Sequence, residues 1–251
     1  MNVDLLNEFR SPHDERDFIV ESNLNPEQRF PANLDLRPDL PAVWDQGSDG
    51  PCSAYSAAAI KNWQEKIDYG LDRELSYDFV YDLRSNKPQS GMFPRDTMKI
   101  LQKYGIPLKE TYTKNVSRKD ANKKNFTPPE VVMKESAKHK IRNYAMVSTI
   151  DGLKQSLYKF GPCYIAMPVF NGSPRFWKPG FREKMVGGHA LVVAGYNSRG
   201  FILRNSWGKD WAYEGHTFYP YSDWGAHWEI WTLFDIDSDA IKPVSLLKRF
   251  F

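Results

Sequence analysis

The sequence predicts an α+β fold in which a helix-rich first part precedes a strand-rich second part. Between residues 30 and 140, apolar residues recur at helical spacing in the stretches CSAYSAAAIKNW, ELSYDFVYDL and PRDTMKILQKYG. After residue 140 the pattern changes to short apolar runs separated by Gly, Asn, Ser and Pro, which is typical of strands. A length of 251 residues suits one large domain or two lobes around a shared cleft.

Six apolar runs predict the strands of the second part. They read NYAMVST, CYIAMPVF, HALVVAGYN, GFILRNSW, GHTFYPY and HWEIWTLF. After the first of them, IDGLKQSLYKFG predicts a helix with Asp151 as its N-cap and Gly161 as its stop. The stretch 114–140 is strongly basic and contains Pro128 and Pro129, so we interpret it as a solvated connection between the two parts.

Charge and hydropathy exclude several classes of partner. Lys and Arg number 34 against 31 for Asp and Glu, and these charges are interspersed, so we expect no nucleic-acid partner. No apolar run reaches the roughly 18 residues that a membrane span needs, and the first 18 residues are too charged for a secretory signal. We therefore expect no membrane partner and an intracellular bacterial or viral product.

The chain has two cysteines, which suits a reducing compartment. Cys163 lies in an apolar strand-like run, where a buried structural thiol is expected. Cys52 follows Gly47, Gly50 and Pro51 and would open a helix, where unpaired N–H groups and the helix dipole favour a thiolate. A small buried hydrophobe is the alternative interpretation of Cys52. The two cysteines lack the paired spacing of zinc sites, and we predict no metal and no cofactor.

His189 stands apart from the other histidines. It follows two glycines at the head of an apolar run, and the next run ends at Asn205, so two neighbouring strands could bring these side chains together. An amide oxygen can accept the imidazole N–H and fix its tautomer, and Trp207 could shield that bond from water. We interpret the remaining histidines as surface or core residues; they are His13, His139, His216 and His227.

Three motifs resemble those of papain-family cysteine peptidases. The segments that carry the resemblance, in the family's order, are Gln46-Gly47-Ser48 with Cys52-Ser53-Ala54-Tyr55-Ser56, then Gly188-His189-Ala190, then Asn205-Ser206-Trp207-Gly208 followed by Trp211. Weaker likenesses, such as SGMFPRDTMKILQKYGI, extend the match from about residue 30 to about residue 234. The chain looks like a short variant without the usual long prodomain or disulfides.

The resemblance implies a papain-like two-lobe fold, with a helical left lobe, an antiparallel β-barrel-like right lobe and a cleft between them. It implies a cysteine endopeptidase, or thiol protease, that hydrolyses peptides or proteins through a thioester. Cys52 would be the nucleophile, held as a thiolate against an imidazolium at His189. Asn205 would orient the ring, and Gln46 would stabilise the oxyanion together with the Cys52 N–H.

The resemblance also suggests substrate-binding residues, namely Gly91, Met92, Ala190 and Trp207. Met92 and Ala190 are candidates for a pocket that takes the side chain two residues before the scissile bond, with an apolar or aromatic preference. For Met92, a place in the core is the alternative.

Three positions depart from the family's pattern. Asp49 replaces a cysteine that usually forms a disulfide, and Gly188 stands where many relatives carry Asp, from which we predict a modest effect on the pH profile. Ser53 replaces the usual Trp and removes bulk behind the nucleophile. This motivates one alternative function, a catalytically weakened binding or structural protein. An aminopeptidase or acyltransferase on the same scaffold is a further alternative.

The predicted organisation has three parts. Residues 1–29 form a polar, Pro-broken arm, 30–234 form the peptidase domain (30–140 mainly helical, 141–234 mainly β), and 235–251 form a C-terminal tail. The arm is too short to fold alone. We hypothesise that it lies in the substrate groove as an intramolecular inhibitor, which would make the chain a zymogen; a disordered tail is the alternative.

Overall fold

The computed structural model of the chain describes residues 6, 8–25, 27–47 and 51–235. Seven helices in these ranges are α1 (Cys52–Tyr69), α2 (Tyr77–Asp82), α3 (Pro94–Lys103), α4 (Lys109–Asn115), α5 (Arg118–Ala121), α6 (Glu130–Ser136) and α7 (Ile150–Phe160). Seven strands in the same ranges are β1 (Leu34–Asp35), β2 (Ile141–Met146), β3 (Cys163–Val169), β4 (Gly187–Asn197), β5 (Gly200–Arg204), β6 (His216–Pro220) and β7 (Glu229–Asp235). The six predicted strands are confirmed, as are the predicted helices at α1, α2, α3 and α7.

Helix α1 runs through the core and begins at Cys52, as the sequence predicts. Pro51 is its N-cap, and the helix ends at Gly70, which has a left-handed backbone with φ of +67°. Its first 14 residues are all buried, because small side chains let the neighbouring elements approach closely. The buried Lys61 ammonium is paired with Glu65 at 2.8 Å and Asp235 at 2.6 Å, so its charge is compensated.

The strands form one antiparallel sheet in the order β2-β7-β3-β4-β5-β6, and β1 pairs with β4. Strands β2 and β6 are the two edges of this sheet and do not pair with each other in the described residues. The sheet is therefore open, and the predicted term "barrel-like" describes it only loosely. In the register, His189 on β4 lies opposite Met167 on β3. Helix α1 packs against β3 and β4, which brings its first turn close to the head of β4.

Two local predictions are wrong. The basic stretch 114–140 is not a plain connection, since it contains α5 and α6, and buried residues such as Val132 attach α6 to the core. The N-cap of α7 is Thr149 rather than Asp151, because the Thr149 hydroxyl accepts a hydrogen bond from the Gly152 N–H at 2.9 Å. Gly161 ends the helix as predicted. Across the described residues, none of the helices combines the length and apolar character needed to cross a bilayer.

Candidate active site

Cys52 lies buried at the N-terminus of α1, facing the head of β4. The backbone N–H groups of Ala190 and Ser53 lie close enough to the thiol to favour its ionised form. Two effects act in the opposite direction and prevail: burial, and the carboxyl of Glu8, whose Oε2 is 3.8 Å from the Cys52 sulfur. Together they raise the pKa of the Cys52 thiol well above its ordinary value. The neutral thiol is therefore the favoured form in this arrangement.

His189 is fully buried on β4, and its Nε2 is 2.6 Å from the Oδ1 of Asn205, just beyond β5. Because an amide oxygen can only accept, the ring donates from Nε2, and Nδ1 is left as the basic nitrogen. Nδ1 has no hydrogen-bond partner in the described part of the chain. Burial lowers the pKa of the imidazole to about 4, although the bond to Asn205 acts in the opposite direction.

Aromatic rings cover the His189–Asn205 hydrogen bond. Trp207 stacks on the imidazole with ring centroids 4.4 Å apart, and Phe176 meets it edge-on at 5.8 Å. Trp211 packs at a right angle against Trp207 at 5.2 Å. These rings exclude water from the hydrogen bond, which strengthens it.

Gln46 lies beside the same turn. Its backbone N–H donates to the Ser206 carbonyl at 2.9 Å, and the Ser206 hydroxyl donates to its Oε1 at 2.5 Å. Gln46 is 4% exposed, so these bonds fix an amide that would otherwise be mobile. Residues 48–50, which include the departure at Asp49, lie outside the described residues.

The sequence-predicted substrate residues fall in two places. Met92 and Ala190 are buried next to the groove, and Gly91 precedes Met92 with a left-handed φ of +85°. Trp207 instead covers His189. No group of three or more His, Cys, Asp or Glu side chains in the described ranges is arranged to bind a metal ion.

The N-terminal arm occupies the groove beside Cys52. The Glu8 N–H donates to the Gly188 carbonyl at 3.2 Å, and the Phe9 N–H donates to the Met92 carbonyl at 3.0 Å. A Cβ at Gly188 would overlap the Glu8 carbonyl oxygen and the ring of Trp228, so only glycine permits this approach. The glycine at position 188, where many relatives carry Asp, therefore allows the backbone of the arm to lie against β4.

The Glu8 side chain points into the protein and is 2% exposed. Its Oε2 accepts a hydrogen bond from the Ser53 hydroxyl, and its Oε1 accepts one from the Tyr164 hydroxyl at 2.7 Å. Because position 53 carries serine, we expected less bulk behind the nucleophile. In the structure, the Glu8 carboxyl and the Tyr164 hydroxyl occupy this region.

Sequence reasoning missed four residues of this site, namely Glu8, Tyr164, Phe176 and Ser206. No local pattern marks Glu8 or Tyr164, because their contact joins residues 156 positions apart. Ser206 lies inside the Asn-Ser-Trp-Gly motif, which was the available signal for it.

Comparisons with known proteins identify the family to which the chain belongs. The sequence model described as "Papain family cysteine protease" matches residues 30–223. An uncharacterized peptidase C1-like protein of Acanthamoeba polyphaga mimivirus is 26% identical over 234 residues, which cover 81% of this chain and 73% of the relative. Caricain of Carica papaya is 25% identical (78% and 56% covered), and cathepsin K of Mus musculus is also 25% identical (76% and 60% covered). The chain thus spans less than two thirds of the latter two relatives.

Solved structures show the same fold. Xylellain, a cysteine protease from Xylella fastidiosa, superposes with a TM-score of 0.75 at 24% identity, covering 92% of this chain and 96% of that chain. Digestive procathepsin L 3 of the Tenebrio molitor larval midgut superposes with a TM-score of 0.65 at 18% identity, covering 84% and 72%. The predicted papain-like architecture is confirmed, and the chain belongs to the papain family of cysteine proteases.

Proposed function

We propose that the chain is a cysteine endopeptidase in which Cys52 is the nucleophile, His189 the base, Asn205 the residue that orients the base and Gln46 an oxyanion donor. One observation carries the proposal. The 2.6 Å bond from His189 to Asn205 assigns the proton to Nε2 and leaves the buried Nδ1 as an acceptor without a partner among the described residues. A thiol at the start of a helix, beside the residue after His189, is a group that this nitrogen can deprotonate.

In the proposed reaction, the Cys52 proton passes to His189 Nδ1 and the sulfur forms a bond to the peptide carbonyl carbon. The Gln46 amide and the Cys52 backbone N–H donate to the resulting oxyanion. The C–N bond then breaks, and His189 returns the proton to the leaving amine. Water attacks the thioester while His189 accepts its proton, and cleavage of the S–C bond releases the acid and restores the thiol.

We further propose that the arm keeps the enzyme latent. Glu8 lies within 3.8 Å of the nucleophile, and its environment favours the neutral thiol. Two backbone hydrogen bonds hold this part of the arm against Gly188 and Met92, where a substrate backbone would compete with it. Displacement of the arm would remove one of the two effects that raise the thiol pKa and would open the groove.

The test compares hydrolysis of an N-terminally blocked peptide library by the full chain, Glu8→Ala and Glu8→Ala/Cys52→Ala. We expect Glu8→Ala to be at least tenfold faster than the parent chain, and the double variant to be inactive. Adding Gln46→Ala to Glu8→Ala should lower kcat by about 10²-fold to 10³-fold. Cys163→Ala is the matched control, because Cys163 is also a fully buried thiol but lies on β3.

Three results would contradict the proposals separately. Hydrolysis that survives Cys52→Ala would rule out the thioester route. Equal rates for the parent chain and Glu8→Ala, with Cys52 still required, would leave the peptidase intact and remove the arm as its inhibitor. Cleavage of free but not of blocked peptides would identify an aminopeptidase instead.

A further inference from the structure

The groove contains a small polar pocket that the proposed reaction does not use. Its floor is formed by the hydroxyls of Ser53, on the first turn of α1, and Tyr164, on β3. Both residues are buried, at 1% and 0% exposure, and the Glu8 carboxyl fills the space between them. We call this the Ser53–Tyr164 pocket.

The pocket exists because position 53 carries a small side chain. An indole at this position, as in the family's usual pattern, would occupy the volume that the Glu8 carboxyl now takes. An apolar occupant would leave the two buried hydroxyls with only each other as a partner, so the pocket favours an occupant that offers hydrogen-bonding atoms to both. A planar head group with two polar atoms on an unbranched stem of two methylenes meets that requirement, as Glu8 demonstrates.

Among the described residues, the hydrogen-bond partners of the Glu8 carboxyl are two hydroxyls and a thiol, and none of them is a cation. The titratable groups facing it are Cys52 from α1, Tyr164 from β3 and Glu229 from β7. Burial raises the pKa of Glu8 to about 8, against the hydrogen bonds from Ser53 and Tyr164. The site therefore favours an uncharged head group, which is a carboxamide or a protonated carboxyl.

The pocket opens beside the path of a bound backbone. The Glu8 N–H is bonded to Gly188 on β4, and the next residue of the arm is bonded to Met92 across the groove. A residue held between these two carbonyls sends its side chain toward Ser53, close to the Cys52 sulfur. A substrate bound along the same two edges would present one of its side chains in the same place.

We infer that the Ser53–Tyr164 pocket is the main specificity pocket and selects substrates with glutamine, or protonated glutamate, within the two residues before the scissile bond. The inference rests on the proposed peptidase function and replaces the apolar preference that the family resemblance implies. Ser53 and Tyr164 are then specificity residues, and Glu8 is the arm's mimic of the preferred side chain.

The first test needs no catalysis. The full chain is compared with Glu8→Gln and Glu8→Met for the rate at which iodoacetamide modifies Cys52, with Cys163 of the same molecule as the internal control. Gln keeps the length and the polar atoms, so Cys52 should stay protected within about twofold. Met keeps the length but offers neither hydroxyl an oxygen or nitrogen, so it should dock less well and modification should be at least tenfold faster. Equal protection by Met, or loss of protection with Gln, would overturn the inference.

The second test measures hydrolysis in the Glu8→Ala chain with blocked peptides that carry Gln, Glu, Leu or Phe at each of the two positions. We expect kcat/KM for Gln to exceed that for Leu by at least tenfold at one position, and Glu to approach Gln as the pH falls toward 5. In the same Glu8→Ala chain, Tyr164→Phe should abolish the Gln preference, so that the Gln-to-Leu ratio of kcat/KM falls to about one. Tyr219→Phe, which removes an equally buried hydroxyl on β6, should leave the preference unchanged.

The outcomes distinguish the two proposals. Hydrolysis with the same Leu or Phe preference in Glu8→Ala and in Glu8→Ala/Tyr164→Phe would overturn the pocket and leave the peptidase standing. Absence of hydrolysis of every peptide would overturn the peptidase, and the alkylation series would still decide what the pocket accepts.

Discussion

Two segments of the N-terminal arm hold it to the protein by different means. The groove segment (residues 8–11) is bound by backbone hydrogen bonds and by an uncompensated buried carboxyl at Glu8. The anchor segment (residues 17–21) combines a backbone hydrogen bond from the Met146 N–H to the Phe18 carbonyl and the buried Val20 with contacts of two charged side chains. Asp17 forms an ion pair with Arg95 of α3, and Glu21 Oε1 accepts hydrogen bonds from the N–H groups of Ser148 and Thr149, both at 2.8 Å.

Because the two segments are held by different contacts, the groove segment can be released while the anchor segment stays attached. The anchor contacts are an ion pair and a carboxylate near a helix N-terminus, and both arrangements favour a charged carboxyl group. A buried carboxyl without a cation depends on its own protonation, so the groove segment can leave alone. If the arm is the inhibitor that we propose, release of the groove segment would uncover Cys52 while the anchor segment remains in place.

The largest effect on the anchor should come from Asp17→Ala. The substitution leaves the Arg95 guanidinium without its carboxylate partner, and both side chains of the pair are about 10% exposed. We therefore expect the free energy that holds the anchor segment in place to fall by about 2 kcal/mol, somewhat below the range for fully buried pairs. A change of this size corresponds to a roughly 30-fold larger population of molecules in which the anchor segment is detached. The measurement is the rate of trypsin cleavage after Arg10 and Arg16 in a Cys52→Ser background, in which the chain does not cleave itself.

Asp14→Ala is the matched control, because Asp14 also forms an ion pair, with Arg16, but that arginine side chain is 86% exposed. Its cleavage rate should change by less than about twofold. Similar rates for the two variants would mean that the Asp17–Arg95 pair does not anchor the arm.

Docking of the groove segment should weaken as the pH rises, whereas the contacts of most carboxylates in proteins weaken as the pH falls. Burial raises the pKa of Glu8 from its ordinary value of 4.5 to about 8, so docking is strongest below pH 4.5 and weakens as the pH rises toward 8. The equilibrium constant for release of the groove segment rises by at most about tenfold per pH unit, because one carboxyl group titrates. We expect trypsin cleavage after Arg10, measured relative to Glu8→Gln at each pH, to rise across this window; a flat ratio would contradict the assignment.

The sequence predicted the strands and the Cys52 helix because both depend on local patterns. It also singled out His189 and Asn205, since each lies at the end of a strand-like run, and the observed 2.6 Å bond agrees with that expectation. It missed the Ser53–Tyr164 pocket, because a serine in a helix carries no signal for a carboxyl 45 residues earlier. The capping error at Asp151 has a similar origin: Thr149 and Asp151 are both good caps, and tertiary packing decides between them.

The smallest effect should come from Glu21→Gln, which sharpens the distinction between the two segments. Gln keeps an acceptor oxygen for Ser148 and Thr149 but removes the negative charge near the start of α7, where the helix dipole favours an anion. We expect opening of the anchor to increase by about twofold to fivefold, measured by trypsin cleavage after Arg16. Glu27→Gln removes the same charge from an exposed position of the arm and should have no effect. Equal rates for the two variants would show that Glu21 acts through its hydrogen bonds alone, and the anchor would then depend on charge only at Asp17.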